Sequence, residues 1–493
     1  MGAVRAADGT TYFCLAAPGK EKANIVGSWN GYIPSADTYY QDYEGNRYFW
    51  WSVDGLKENT DYIYYYIVDT ATKVGDPYAR LILDPSNDKY IPESVFPDMP
   101  AYPSAYVTGN VPVAVYNSGA DTYDWKIKDF KGVDKDRLVI YELLIRDFTG
   151  TEGQAKGNGT LAGVMEKLDY LQSLGINAIQ LLPIMEFNGN NSWGYNPNFY
   201  FAPDKAYGTP DDYRRLIDAA HERGMAVILD VVFNQTDGLH PWYKMYPASK
   251  NPFYNASAPH SYSVLNDWKQ ENPLVQQQFK DVLRYWLEAY NVDGFRFDLV
   301  KGLGDDDSYG ATYNASTNKY TGVTEAKTNA YNASRVARMK ELHAAMMEVN
   351  PDAYFINENL AGAKEENEMA ADGELNWANI NNASCQFAMG WSEGCQLNRF
   401  YSISDGRTKG STVSYAESHD EERMAFKINK WGATGVKGDT EIAMRRLGSV
   451  AAIMLMTPGS HMIWQFQEFG ADESTKKTDS AGNPTGENNT NPK

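Results

Sequence analysis

The sequence predicts an α/β fold, a parallel (β/α)8 barrel of the TIM type, preceded by a small all-β sandwich of immunoglobulin-like build. Three observations lead there. From Arg137 onward, short apolar strands alternate with helix-patterned stretches, and eight candidate strands can be marked. No Gly-rich phosphate loop follows the first of them, which counts against an open dinucleotide-binding sheet. Before about residue 104 the text differs: short alternating or aromatic runs are cut by Gly, Asn, Asp and Pro, and no helix interrupts them.

In that first region, TYFCLAAP (11–18), ANIVGSWNGY (23–32), RYFWWSV (47–53) and DYIYYYIVD (61–69) read as strands of a sandwich spanning 1–104. Trp29, Trp50 and Trp51 could be flat platforms for sugar rings, although at least one of the last two suits a core. The text from Asp76 to about Lys135 is rich in Pro, Asp and Tyr, with a linker at 105–135 packed along the next domain.

The barrel is expected over 136–470. It opens with LVIYELLIRDF (138–148). A helix then starts at Thr160, with Leu161, Val164, Leu168 and Leu171 on one face, and stops at Gly175. NAIQLLPI (177–184) is the next strand. A polar loop with NSWGYNP leads to a helix capped by Thr209, with Pro210 at its first position and Gly224 after its end. MAVILDVVFN (225–234) feeds an irregular insertion at about 235–272, and the helix after Pro273 delivers the chain to NVDGFRFDLVK (291–301). A Gly-, Asn- and Tyr-rich excursion precedes a helix near Ser334–Val349 and the strand DAYFINEN (352–359). A strand near Ser384–Met389, then STVSYAESHD (411–420), a helix around Thr440–Leu455 and SHMIWQFQEF (460–469) complete the set. Residues 471–493 read as a polar tail without periodicity, and the helix that should close the barrel is expected in sequence beyond this chain.

Composition narrows the function classes. A chain of 493 residues suits two or three domains and a large core. No run of about 18 apolar residues exists, so no membrane span is expected. The net charge of -19 argues against nucleic acid, because phosphate binding draws on clustered Lys and Arg. Aromatic residues make up 13%, with 35 Tyr and 12 Trp, more than a core requires, and exposed rings suit flat neutral ligands. Cys14, Cys385 and Cys395 are too few for a disulfide framework and lack metal-site spacing. The start MGAVRAADGT has no apolar stretch of signal-peptide type, so any such signal is expected to be absent or removed.

The chemistry concentrates at strand ends. In GFRFD, Arg296 and Asp298 are two apart and share a face, while Phe295, Phe297 and Leu299 face the other way. An Arg beside an Asp lowers its pKa and keeps it ionised, as a carboxylate nucleophile requires. A structural ion pair is the alternative. Asp230, Asp298, Glu358 and Asp420 each close a predicted strand, where a (β/α)8 barrel carries its chemistry. Helix caps would explain one of them, but hardly four. Arg296 and His419 are the cations available to offset their repulsion. Clustered carboxylates without a metal or cofactor suit glycosyl transfer, where a retaining glycosidase pairs an ionised nucleophile with a protonated acid about 5–5.5 Å away. Asp298 suits the first role. Glu358, between Asn357 and Asn359 with no adjacent cation, suits the second because its pKa is free to rise on burial.

DVVFN (230–234), GFRFD (294–298), INEN (356–359) and SHD (418–420), in that order and preceded by WGYNP (193–197), resemble the α-amylase superfamily of glycoside hydrolases over roughly Arg137–Gly470. GSWNGY (27–32) and GDPYAR (75–80) resemble the carbohydrate-binding-type sandwich modules of its debranching and branching members. The resemblance implies Asp298 as nucleophile, Glu358 as acid/base and Asp420 as the residue gripping sugar hydroxyls at the cleaved unit. It implies that Arg296 holds the nucleophile, His419 binds a sugar hydroxyl, Tyr195 stacks on the sugar, and Asp230 supports the site. Trp193 and Gln235 complete the implied substrate-binding set, with Asn234 a structural or calcium-site residue. Gln235 stands where the family usually has His, and Asn357 where it usually has Gly. GFRFDLVKG lacks the Lys-His pair of endo-acting amylases, which places the chain nearer the pullulanase-like debranching members.

The implied function is retaining hydrolysis of α-1,4 or α-1,6 glucosidic bonds in starch, glycogen or pullulan-like α-glucans. A branching enzyme that transfers the glycosyl unit to sugar, or a glucan-binding protein on a decayed barrel, are the alternatives. No cofactor is required, although oxygen-rich loops such as GDDDS (304–308) or the region near Asn234 could bind calcium. Asn-rich loops and few cysteines suit bacterial extracytoplasmic work, periplasmic, secreted or at the cell surface.

Overall fold

The computed structural model describes residues 1–69, 71–149 and 157–491. Its first region is a pair of facing antiparallel sheets. One runs in the order Gly2–Arg5, Thr11–Ala16, Asn46–Val53, Tyr39–Tyr43, and the other Ala23–Gly27, Tyr62–Val68, Val113–Tyr116, Ile82–Leu83. Alternation sends Phe13, Leu15 and Trp51 inward, and Trp51 stacks on Tyr66 of the opposite sheet with ring centroids 5.3 Å apart. Trp50 takes the other face and stacks on Tyr39 at 4.6 Å. Trp29 packs on Phe13 at 5.2 Å and lies flat over Gly27, where a Cβ would come within 2.3 Å of the indole. The linker reading of 105–135 is corrected in its first part. Val113–Tyr116 pairs with Tyr62–Tyr64 and completes the second sheet, a run of four residues too short to stand out among the surrounding prolines. The rest does pack along the barrel, with the backbone N–H groups of Lys126 and Ile127 donating to Asp218 at 3.1 and 3.0 Å.

Eight parallel strands close into the barrel: β1 (Val139–Leu143), β2 (Ala178–Leu181), β3 (Ala226–Val231), β4 (Gly294–Phe297), β5 (Tyr354–Asn357), β6 (Leu375–Asn379), β7 (Thr412–Tyr415) and β8 (Ser460–Trp464). Two crossover helices show how the chain enforces their starts. Helix α1 (Pro210–His221) begins with a capping box, in which Thr209 accepts from the Asp212 N–H and the Asp212 carboxylate accepts from the Thr209 N–H. Helix α2 (Pro273–Tyr290) is capped by Asn272, which accepts from Leu274 N–H at 2.8 Å, and ends at Asn291 in the left-handed region.

Two strand expectations are corrected. The stretch 138–148 is a strand only to Leu143; Ile145–Phe148 forms a helical turn that carries Arg146 and Asp147 out of the sheet. The sixth strand is Leu375–Asn379, and Ser384–Met389 lies in a helix, Asn381–Met389. LNWAN shows no apolar run because asparagines interrupt it: Leu375 and Trp377 face inward, whereas Asn376 is fully buried against the preceding helix, where it donates to the Glu366 carbonyl at 3.2 Å. The buried Ser384, Cys385, Ala388 and Met389 recur at helical spacing.

The insertion after β3 pairs Gln235–Thr236 with Asn266–Asp267 and encloses Trp242 stacked on Phe253 at 4.2 Å. It docks on the sandwich: the Trp242 indole N–H donates to the Ala16 carbonyl at 3.0 Å, and the Tyr246 hydroxyl to the Pro18 carbonyl at 2.9 Å. The polar-tail reading is also corrected. Lys476–Thr478 and Pro484–Asn488 form an antiparallel hairpin, held by polar contacts that leave no apolar periodicity to read; residues 492 and 493 lie outside the described residues. Among the described residues no helix longer than the short turn Gln467–Phe469 follows β8, and none is long and apolar enough to cross a membrane.

Candidate active site

Register brings the charges together. Asp230 in β3 lies directly across from Arg296 in β4, and Arg296 is fully buried. One guanidinium nitrogen of Arg296, Nη1, donates to both oxygens of Asp230 at 2.9 and 2.8 Å and to Asp298 Oδ1 at 2.9 Å. The other, Nη2, lies 2.9 Å from Glu358 Oε2, a charge contact without hydrogen-bond alignment. The flat face of the guanidinium sits on the Trp377 ring, 4.1 Å from its centroid. One cation thus touches three carboxylates.

Just past β4 the backbone turns through Leu299, whose φ of 47° is left-handed. For a leucine this conformation costs about 1–2 kcal/mol. It directs the Leu299 N–H onto Glu358 Oε2 at 2.8 Å.

These contacts correct two expectations about ionisation. Arg296 does not hold Asp298 low: burial dominates and pushes the Asp298 carboxyl up to about 6, Arg296 opposing and the Asp230 and Asp420 charges reinforcing. Glu358 does have a cation beside it, the same Arg296. Burial still raises it to about 7, helped by the Asp298 and Asp420 charges. Asp420 differs. Burial would raise it, but His419 and Arg296 outweigh that and lower it. Asp420 is therefore the most acidic of the three, while Asp298 and Glu358 both stand above the usual carboxylate range.

His419 links the second half of the site. Its Nδ1 lies 2.8 Å from Glu142 Oε1, its backbone N–H donates to Glu142 Oε2 at 3.2 Å, and its Nε2 lies 3.3 Å from Asp420 Oδ2. Burial would lower the imidazole pKa, but the Asp420 and Glu142 carboxylates outweigh it and push it up to about 10, so both ring nitrogens carry protons at neutral pH. Tyr195 stacks on the His419 ring at 5.1 Å and donates its hydroxyl to Asp230 Oδ2 at 2.6 Å. Trp193 meets His419 edge-on at 5.6 Å.

Exposure separates reacting candidates from supports. The side chains of Asp298, Glu358 and Asp420 keep 13%, 14% and 40% of their surface open, whereas Arg296 and Asp230 keep none. Arg296 and Asp230 therefore cannot touch a substrate and act through their neighbours, which corrects their place in the substrate-binding set. Gln235 is likewise buried, donating to the Tyr195 carbonyl at 3.1 Å and accepting from Asn234 at 2.7 Å; it braces the Tyr195 loop. The acids of GDDDS disperse: Asp305 pairs with Arg338 at 2.8 Å, and Asp306 accepts from Asn255 and Tyr320. Among the described residues no group of three or more His, Cys, Asp or Glu is placed to hold a metal ion.

Sequence reasoning missed Glu142, Trp377, Lys476 and Asn488. Glu142 carried a readable signal, a lone acid in the apolar strand LVIYELLI. The hairpin residues carried none: Asn488 donates to Asp420 Oδ1 at 2.8 Å, and the Lys476 ammonium donates to the Asp420 carbonyl. The supposed tail thus completes the surroundings of Asp420.

Comparison with known proteins places this arrangement. Malto-oligosyltrehalose trehalohydrolase of Saccharolobus solfataricus is 28% identical over 302 residues, covering 61% of this chain and 45% of that protein. The chloroplastic isoamylase SU1 of Zea mays is 32% identical over 271 residues, covering 48% of this chain and 32% of that protein. The chain spans less than half the length of either relative. Among solved structures, pullulanase type I from Bacillus subtilis str. 168, complexed with maltose, matches with TM-score 0.71 at 22% identity over 98% of this chain and 67% of that one. The catalytic module of the pneumococcal glycogen-degrading virulence factor SpuA matches with TM-score 0.71 at 20% identity, over 98% and 72%. At such identities the structural likeness speaks to the fold. The family model for the alpha amylase catalytic domain matches residues 142–263 and 259–491, a span that takes in the strand-end acids, and the chain belongs to that family.

Proposed function

We propose that the chain is a retaining α-glucan hydrolase with a preference for α-1,6 branch points. The observation that carries the reading is geometric: Asp298 and Glu358, partly open carboxyls at neighbouring strand ends, share one buried guanidinium, with Arg296 Nη1 2.9 Å from Asp298 and Nη2 2.9 Å from Glu358. Burial raises both carboxyls, which suits the pairing of an ionised carboxylate with a protonated one that retaining hydrolysis needs.

In this reading each step uses particular atoms. Arg296 takes Asp298 Oδ1, which leaves Oδ2 to attack the anomeric carbon. Glu358 Oε2 accepts from Leu299 N–H, so the acidic proton resides on Oε1 and passes to the glycosidic oxygen as the C–O bond breaks. The products of this step are the released glucan and a glycosyl ester on Asp298. Water then attacks the same carbon, gives its proton to Glu358 and frees Asp298. Asp420, held charged by protonated His419 behind it, accepts from sugar hydroxyls, and the ring of Tyr195 floors the same space. No step requires a cofactor.

The preference for α-1,6 bonds rests on the relatives and neighbours named isoamylase and pullulanase. Pullulan, whose maltotriose units are joined by α-1,6 bonds, tests it. Release of maltotriose is expected, lost in Asp298→Asn and Glu358→Gln. Panose-type products would instead mean α-1,4 cleavage, and undiminished release by either variant would overturn the residue roles.

A further inference from the structure

On the outer wall of the barrel, four buried oxygens that can only accept hydrogen bonds have no donor among the described residues. They are Asn357 Oδ1 and Asn359 Oδ1, in and just past β5, and Glu374 Oε1 and Asn376 Oδ1, just before and in β6. All four residues are at most 1% exposed. They are also neighbours. Asn357 lies across from Asn376 in the sheet, and its amide donates to Glu374 Oε2 at 2.6 Å. The amide nitrogens of Asn357 and Asn359 both approach Met369 Sδ, at 3.6 and 3.8 Å. Their donors fix the amide orientations. Asn376 donates to the Glu366 carbonyl at 3.2 Å and Asn359 to Glu365 Oε1 at 2.9 Å, so turning any of the three amides over would set oxygen against oxygen.

Glu374 also lacks a counter-ion. Among the described residues no Lys, Arg or His forms an ion pair with it: Lys135 donates to the Gly373 carbonyl at 2.7 Å, and Lys340 pairs with Asp372 at 2.8 Å. A proton on Glu374, which burial pushes up to about 8, would serve one amide oxygen and leave two without a partner. A water offers two hydrogens and no charge. A cation satisfies several acceptors at once, and carboxylate and carbonyl oxygens are the ligands that hard cations take. One carboxylate balances one positive charge, whereas a divalent ion would leave surplus charge in a dry enclosure. A cavity of about 470 Å3 at the foot of the two strands is lined by Gly373 and Leu375, on either side of Glu374, and gives an approach from solvent.

We propose that a monovalent alkali cation, sodium or potassium, binds between Glu374, Asn357 and Asn376. It ties β6 to β5, the strand that leads into Glu358, from outside the barrel. The proposal does not depend on the hydrolytic reading. Thermal unfolding of the full chain, freed of alkali ions in choline chloride and then measured in sodium or potassium chloride at equal ionic strength, tests it. Tm is expected to rise by about 2 °C or more in one or both alkali salts and to saturate with concentration. The salt that saturates at the lower concentration identifies the preferred ion. Glu374→Gln keeps the shape and removes the charge, and is expected to abolish the difference between the alkali salts and choline. Asn376→Ala removes one oxygen ligand and is expected to raise the half-saturating concentration about tenfold. Equal Tm in the three salts, or an alkali-specific rise left undiminished by either variant, overturns the proposal.

Discussion

Asp298 and Glu358 share one guanidinium and one dry enclosure, so their surroundings decide the order in which they lose protons. Activity should rise as Asp298 ionises near pH 6 and fall as Glu358 ionises near pH 7. A plot of kcat/KM against pH should therefore be a narrow bell, with limbs that belong to the pair as a whole. A plateau several pH units wide would contradict this reading of the pair. The identity of these residues was legible because each is a lone charge at the end of an apolar strand. Their coupling was not. That Arg296 faces Asp230 and also reaches Glu358 follows from register across β3, β4 and β5, which a single strand's alternation does not encode. The same holds for Glu142, visible as an acid in β1 yet joined to His419 across 277 positions of sequence.

Elements with strong periodicity were readable to within a few residues, as in α1 and α2 with their Thr and Asn caps. β6 was not, because its two asparagines, one of them turned outward to the Glu366 carbonyl, break the apolar run that marks a buried strand. The terminal hairpin escaped for a related reason, since Lys476, Asn488 and their neighbours hold it by hydrogen bonds to the loop after β7. Its place beside Asp420 has a measurable consequence. Asn488→Ala removes a donor from an ionised carboxylate and should lower kcat/KM about tenfold. Asn488→Asp should place a second negative charge there and raise the Asp420 pKa, so that the acidic limb steepens as Asp420 joins Asp298 in it. Unchanged kcat/KM and pH profile in both variants would show that the hairpin plays no part in the site.

At the scale of the molecule, the change of rhythm near Arg137 separated sandwich from barrel, but nothing in the text showed how they join. The joint lies in the insertion after β3, an irregular segment to the eye, whose Trp242 and Tyr246 bond to Ala16 and Pro18. A second tie runs from Tyr78 to Asp281 at 3.1 Å, and a third from Asp88 to Lys205 at 3.3 Å. Trp242→Ala opens a cavity at the first of these and should lower the free energy of unfolding by about 3–5 kcal/mol. Urea titration followed by fluorescence and circular dichroism should show an earlier transition, with the sandwich melting ahead of the barrel. Unfolding at the unaltered midpoint would mean that the domains do not depend on this contact. The central claim, that Asp298 attacks the sugar and Glu358 assists, is tested most directly by trapping the glycosyl ester. Treatment with 5-fluoro-α-glucosyl fluoride, followed by peptide mass spectrometry, should place one glycosyl label on Asp298 within GFRFDLVK. A label on another carboxylate, or an active enzyme that turns over this substrate with inversion and without a label, would contradict it.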